Sequence, residues 1–347
     1  MQTAFVTGST GLLGNNLVRE LLRQGVQVRG LARSREKARQ QFADLKVDIV
    51  EGDMTDVAGF ADALTGCDAL FHTAAHFRDC YKGGQHAERL QATNVDGTAA
   101  LLDAAHHRGL RQIVHTSSIA VLDGPPGQPI DETMERELSH ADDYYRSKIL
   151  SDQAVMRFHS RHPDAHVTMV LPGWMFGPGD RGPTSAGQLV LDFAARKLPG
   201  RIPGTFSVVD ARDVAQIQVS AMRLGQSGHR YLAAGRNMTM DQLFPLLAQA
   251  TGVAAPTRSI PLGLLKVIAW VNETQARLTG APALISRAAV RLLEREAGRT
   301  QFNQDKTFRE LHGTFRPVID TLADTVDWYR QHGWLAAAQA PRMALTG

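Results

Sequence analysis

Hydrophobic positions in the first half of the chain switch period at regular intervals. Thr3–Thr7 is a short β-prone run, after which Leu12, Leu13, Leu17, Val18, Leu21 and Leu22 recur at helical spacing up to Gly25. Residues 26–31, 47–51, Ala69–His72, Gln112–Thr116 and 167–171 read as further strands, with helical patterns over 93–108 and 143–159. Strands alternating with helices predict an α/β fold, a doubly wound parallel sheet covered on both faces. After Pro172 the pattern changes. Gly and Pro crowd the chain as far as Gly204, as in loops that carry a binding site. Residues 208–224 then read as a strand and a helix, Arg230–Ala233 as another strand, and 241–251, 262–278, 287–298 and 319–332 as helices. No internal repeat or low-complexity linker divides the chain, so the second lobe is expected to interleave with the first.

Composition narrows the classes. Across 347 residues, 43% are hydrophobic and 21% charged, the balance of an ordinary globular protein rather than a disordered or fibrous one. Net charge is only +3, aromatics are 6%, and no basic run is long enough to grip a phosphate backbone, so nucleic acid is not an expected partner. Two cysteines, Cys67 and Cys80, cannot build a disulfide framework or a Cys-rich zinc site, which favours a reducing, cytoplasmic setting. The first residues lead straight into a strand without a signal-like pattern. The most apolar later stretch, 260–271, is short and contains Lys266, so no membrane span is expected.

Between the first strand and helix lies Gly8-Ser9-Thr10-Gly11-Leu12-Leu13-Gly14. A tight turn needs unusual backbone angles, a pyrophosphate needs bare backbone N–H groups, and helix must pack closely on strand; glycine serves all three. The helix N-terminus adds partial positive charge. The context of strand before and amphipathic helix after points to a dinucleotide site. The end of the second strand bears on which dinucleotide. An acid there would bond the adenosine ribose, but the chain reads Val28-Arg29-Gly30-Leu31-Ala32-Arg33, and Arg33 can pair with a 2′-phosphate. NADP(H) is therefore expected over NAD(H), with NAD(H) still admissible; the rival reading is a solvated basic loop, since Arg35, Lys37 and Arg39 follow. Asp53 after the third strand suits the adenine amino group or a simple turn.

Tyr144 and Lys148 are four apart at the start of a helix, so both can face one cleft, and a nearby ammonium brings a phenol towards a working acid–base pKa. Tyr145 has no such partner, because Ile149 stands four residues on. The other explanation is an exposed aromatic beside a surface lysine. Ser117 and Ser118 end the fifth strand, where α/β folds bind ligands; they compete for one role, because adjacent strand residues point to opposite faces.

Taken together these residues resemble the extended short-chain dehydrogenase/reductase superfamily of NAD(P)-dependent epimerases and dehydratases. The resemblance runs to about Trp334 and rests on ordered signatures: Thr7 to Gly14, Gly52-Asp53-Met54-Thr55-Asp56, His72-Thr73-Ala74-Ala75, Asn94-Val95-Asp96-Gly97-Thr98, Ser117-Ser118, Tyr144 with Lys148, and Leu171 to Gly179. It implies a Rossmann-type domain from 1–171 with 206–235, a mainly helical substrate lobe from 172–205 with 236–340, and a tail from 341–347. It implies Ser118, Tyr144 and Lys148 as catalytic. It implies cofactor contacts from Gly8, Thr10, Gly11, Leu12, Leu13, Gly14, Arg33, Asp53, Met54, Thr73, Ala74, Ala75, Tyr144, Lys148, Pro172 and Met175. Within the superfamily the chain is most similar to the dihydroflavonol-4-reductase and 3β-hydroxysteroid-dehydrogenase branch. Arg33 matches NADP-dependent reductases of that type, Pro172-Gly173 replaces the Phe-Asn pair of many nucleotide-sugar epimerases, and Ile119-Ala120 replaces the Asp-Glu of nucleotide-sugar dehydratases.

The implied activity is reduction of a ketone or aldehyde, or oxidation of the corresponding alcohol, with Tyr144 as general acid/base. His76, Phe77, Trp174 and Phe176 are the candidates for an apolar substrate pocket, with core packing the other reading of Trp174 and Phe176. A nucleotide-sugar epimerase with tightly held NAD is the alternative, and a non-catalytic dinucleotide sensor a third, disfavoured by the Tyr–Lys pair. No metal site is expected, since His106-His107 and His159 with His162 lack obvious partners. A homodimer is compatible with the resemblance.

Overall fold

A computed structural model describes residues 1–77, 86–279 and 287–336, the side chains of 275–279 excepted; Cys80 and the expected tail lie outside the described residues. The first half runs β1 (Thr3–Thr7), α1 (Leu12–Arg23), β2 (Gln27–Ala32), α2 (Arg35–Gln41), β3 (Asp48–Glu51), β4 (Ala69–His72), α3 (Ala87–Leu90), α4 (Gly97–His107), β5 (Gln112–Thr116), α5 (Asp143–Arg161) and β6 (His166–Pro172). It continues with β7 (Trp174–Phe176), α6 (Ser185–Ala194), β8 (Thr205–Asp210), α7 (Ala211–Leu224), β9 (Arg230–Ala233), β10 (Arg236–Thr239) and α8 (Met240–Thr251). The last helices are α9 (Leu262–Thr279), α10 (Arg287–Arg295), α11 (Asp305–Leu311) and α12 (Val318–Gln331).

Seven parallel strands form one sheet in the order β3-β2-β1-β4-β5-β6-β9. Phe5 points into one buried cluster, with Leu101, Leu102, Val155 and Phe158 of α4 and α5. Its neighbours Ala4 and Val6 point into the other, with Leu17 and Leu21 of α1 and Val214 and Ile217 of α7. Alternate residues of one strand are thus buried on opposite faces, which is why β1 reads as apolar throughout rather than alternating. A second, three-stranded sheet joins β7 and β8 in parallel and β8 and β10 antiparallel. It carries its own core, in which Phe176, Val190, Phe193, Phe244, Leu322 and Tyr329 are buried.

The structure corrects the sequence reading in several places. Arg35, Lys37 and Arg39 do not form a basic loop but lie in α2, which Ser34 caps by accepting the Lys37 N–H and which buries Ala38 and Gln41. The segment from Pro172 to Gly204 contains β7 and α6 as well as loops. Between α3 and α4 the helix widens over Gln91–Asp96 into a π turn, an irregularity that sequence periodicity does not register.

Candidate active site

The sheet order reverses between β1 and β4, and the glycine turn sits at the carboxyl end of that pair, where α/β sheets open a crevice for ligands. Gly8 adopts φ +63°, and a Cβ there would stand 2.8 Å from the backbone of Ala74. A Cβ on Gly14 would come within 2.1 Å of the Gly8 carbonyl oxygen, so α1 can approach β1 this closely only with glycine at that position. Gly11 is the N-cap, and α1 starts with no side-chain cap and no acid in its first turn, leaving its N–H groups available to an anion. These features fit a dinucleotide pyrophosphate. Leu12 and Leu13 are buried beneath the turn. The Gln41 side chain donates to the Thr10 carbonyl at 3.3 Å, and the Ser9 hydroxyl donates to the Leu31 carbonyl at 2.9 Å, tying the turn to α2 and to the end of β2.

Arg33 is exposed just beyond β2; burial alone would raise the Asp53 carboxyl, but its bonds from Thr55, and then the Arg33 charge, outweigh that and lower it. Asp53 accepts the N–H and hydroxyl of Thr55, each at 2.9 Å, so one of its oxygens closes a turn. Met54 is buried in the core beneath. After β4, Thr73 donates to the Thr7 carbonyl at 2.6 Å, the Ala74 N–H donates to the Thr7 hydroxyl, and Ala75 is exposed.

Asp142 fixes the start of α5 by accepting the Tyr145 N–H at 2.9 Å. The half-buried Tyr144 ring lies 4.7 Å from the Phe77 ring. One turn on, Lys148 is buried and donates to the Thr116 carbonyl at 2.7 Å, which brings the helix against the end of β5. Burial pulls its ammonium down to about 8, against the attraction of Asp152. Tyr145 is used differently: the Arg136 guanidinium lies 4.8 Å over its ring, and burial pushes its hydroxyl well up.

The two serines separate cleanly. Ser117 still pairs with β6 through its N–H and turns its hydroxyl inward to Asp152 at 2.6 Å. Ser118 is half-buried, and its hydroxyl oxygen accepts the Ala120 N–H at 3.2 Å at the start of a short turn.

Beneath these residues lies a buried polar layer. His115 stands 3.4 Å from Asp152, the His72 ring 5.3 Å from the His115 ring, and His72 is held between the hydroxyls of Thr7 and Thr98 at 2.7 and 2.9 Å. Burial lowers both histidines, so each is neutral at pH 7. Burial alone would raise Asp152, but the His115 contact and the Lys148 and Arg230 charges outweigh it and keep the carboxylate ionised. Within the π turn, the Asn94 side chain accepts the His76 N–H at 2.7 Å and donates to the His76 carbonyl and to Ser147. Asn94 and Asp152 are the site-supporting residues that sequence reasoning passed over. Asp152 had a signal, its place four residues after Lys148; Asn94 lay inside a quoted signature but without an assigned role.

Beside β5, Pro172 ends β6, and Met175 and Trp174 are half-buried on β7. The Trp174 ring lies 5.3 Å from Phe206 and its indole donates to Ser185 at 3.0 Å. Phe176 is 1% exposed, a core residue that backs Trp174 at 4.9 Å rather than one offered to a ligand. Away from the cleft the fold brings His106, His162 and Asp164 together, partners that the sequence did not reveal. Their candidate ligand atoms lie within 4.8 Å of one another; Arg111 donates to Asp164 at 2.5 Å, and the two imidazole rings lie 4.0 Å apart, tilted by 36°.

A Rossmann-type sheet with a glycine turn at its switch point and a Tyr–Lys pair beside it defines the class, and comparison with known proteins agrees. The sequence model of the NAD dependent epimerase/dehydratase family matches residues 4–234, and the chain belongs to that family, within the extended short-chain dehydrogenase/reductase enzymes acting on CH–OH and C=O groups. It is 34% identical over 336 residues to Sterol demethylase protein B of Methylococcus capsulatus, covering 96% of this chain and 100% of that one. It is 32% identical over 337 residues to a Synechocystis sp. protein provisionally named dihydroflavonol 4-reductase, covering 95% of each. Among solved structures, gox2253 superposes with a TM-score of 0.82 at 31% identity, over 96% of this chain and all of that one. Among the described residues, no helix is long and apolar enough to cross a membrane.

Proposed function

We propose that the protein is an NADP(H)-dependent oxidoreductase that reduces an apolar ketone or aldehyde, or oxidises the corresponding alcohol. The observation that carries this reading is the placement of Tyr144 and buried Lys148 on one face of α5, against the end of β5 where Ser118 follows. A dinucleotide bound with its pyrophosphate on the glycine turn would supply the hydride from its nicotinamide. Tyr144 delivers the proton to the forming alkoxide, Ser118 holds that oxygen, and Lys148 keeps a positive charge beside the phenol and bonds the ribose. In reduction, one hydride and one proton add across C=O to give the alcohol and the oxidised dinucleotide. The sheet half holds the cofactor, and the lobe bearing Trp174 closes over the substrate with Phe77 opposite. Arg33 and the lack of an acid at the end of β2 support the 2′-phosphorylated dinucleotide.

The test is a panel of ketones and aldehydes assayed for NADPH oxidation by the purified protein. Turnover of apolar carbonyls supports the reading. NAD retained through purification, with no net NADPH consumption, would establish the epimerase alternative, which the family name and the same Tyr–Lys pair also accommodate.

A further inference from the structure

The hairpin of α9 and α10 has an unusual outer face. On α9, Leu264 is 51% exposed, Val267 57%, Trp270 59% and Val271 48%. At 3.6 residues per turn these four, with exposed Gly263 and Thr274, fill a continuous arc of roughly 120° that holds no charged side chain. On the opposite side Leu265 and Ala269 are fully buried with Ile260 and Val290. Among the described residues, packing accounts for that inner face and leaves the outer one bare.

The outer face has a cationic neighbour. Lys266 pairs with Glu294 at 2.6 Å, and the Arg287 N–H donates to the Glu273 carboxylate at 2.7 Å, so the two helices run antiparallel with an ion-paired seam. Beyond the seam α10 exposes Arg287 and Arg291, one turn apart. The two helices, 262–279 and 287–295, contain five Lys and Arg against two acids, an excess of three that equals that of the whole chain. The positive balance of the protein is concentrated on this hairpin.

We propose that the hairpin docks the protein on an anionic lipid surface, α9 lying in the plane with its bare arc among the acyl chains and the α10 arginines on headgroup phosphates. An apolar stripe bounded by cations is the chemistry of an interfacial helix, and Trp270 suits the headgroup level. Charge decides against a second copy of this chain as the occupant. A second copy would bring the same positive balance to this face, whereas an anionic surface neutralises Arg287 and Arg291. The proposal stands independently of the reaction catalysed.

Co-sedimentation of the full chain with vesicles of 70:30 phosphatidylcholine to phosphatidylglycerol, and with phosphatidylcholine alone, tests it. Binding is expected to the anionic vesicles, to weaken in high salt, and to fall at least tenfold in Trp270→Glu. The double change Arg287→Glu and Arg291→Glu should cost tens-fold, since each cation at an anionic surface is worth about fivefold. Thermal melts of the variants should match wild type, because the altered side chains are exposed. No binding to the anionic vesicles, or equal binding by Trp270→Glu, overturns the proposal. So does a concentration-dependent dimer in sedimentation velocity that Trp270→Glu abolishes, which would make a second copy the occupant.

Discussion

The layer beneath the site and the outer face of α9 break the same rule in opposite directions. Under α5, polar and ionisable groups are buried: Thr7, His72, Thr98, His115, Ser117, Lys148 and Asp152. On α9, large apolar side chains stand in solvent. Most of the buried groups are matched within the chain, carboxylate to hydroxyl, ammonium to carbonyl and His72 between two hydroxyls, so much of the desolvation cost is offset where it arises; Asp152 Oδ1, 3.4 Å from His115, and His115 Nδ1 make no hydrogen bond among the described residues. The exposed arc has no such compensation inside the described residues. A violation that the fold satisfies internally is a support built for the residues above it; a violation left unsatisfied points outward.

Substitutions can break that contrast from either end. The largest effect is expected at Tyr144. Tyr144→Phe should lower turnover by about 10²–10⁴-fold while leaving dinucleotide affinity and melting temperature nearly unchanged, because it keeps the ring and removes only the hydroxyl proposed to transfer the proton. More than about a tenth of wild-type turnover would remove Tyr144 from the general acid role.

Next come the serines, which sit on the two sides of the contrast. Ser118→Ala should reduce kcat by about 10²-fold under saturating NADPH with little loss of stability. Ser117→Ala instead takes a hydrogen bond from a buried carboxylate and should cost about 1–3 kcal/mol in urea unfolding. A greater kcat loss for Ser117→Ala would reverse the two assignments.

Lys148 gives the pH signature of the buried layer. Its pKa is about 8 in the folded protein and about 10.4 when unfolded, so the native state binds fewer protons between those values. Stability should therefore rise with pH from about 8 to about 10.4, by at most about 3 kcal/mol relative to Lys148→Met, and stay level below 8 where both states are charged. Unfolding curves of the two proteins at several pH values check the sign; parallel profiles would show that the lysine is not buried as described.

At the rim, where solvent screens charge, effects shrink. Arg33→Ala should reduce the preference for NADPH over NADH by about tenfold in fluorescence titration, with NADH affinity held. Wild-type affinity for NADH equal to or above that for NADPH would sink the assignment of the phosphate to Arg33. Smallest of all, Val267→Ser on the bare arc should change stability by less than about 0.5 kcal/mol, since it removes an apolar group that no neighbour covers. A loss of several kcal/mol there would mean the face is packed against the chain after all.

Much of the sheet was legible because each buried strand has a strong local signal. The bounds expected for β1, β4, β5 and β9 coincide with those observed, each a short β-prone run. The glycine turn was readable for the same reason, as Gly8 and Gly14 answer to local backbone geometry and one close approach. What escaped had little local signal. α2 is short, charged and buries only Ala38 and Gln41, so it looks like a solvated loop until its N-cap and its bond to Thr10 are seen. β7 and β10 have three and four residues and exist only through pairing with β8.

The sequence by itself determined the α/β order, the uncapped glycine turn, and the one-turn spacing of Tyr144 and Lys148, because these depend on residues near one another along the chain. Tertiary structure alone decided which serine turns inward, since that choice rests on Asp152 reaching Ser117 from a helix 35 residues away. It withdrew Phe176 into the core, joined His72 and His115 from separate strands into one buried polar layer, and left α9 with a second apolar face that no part of the described chain covers. Each of these depends on which distant side chains share a space, and no pattern along the chain records that.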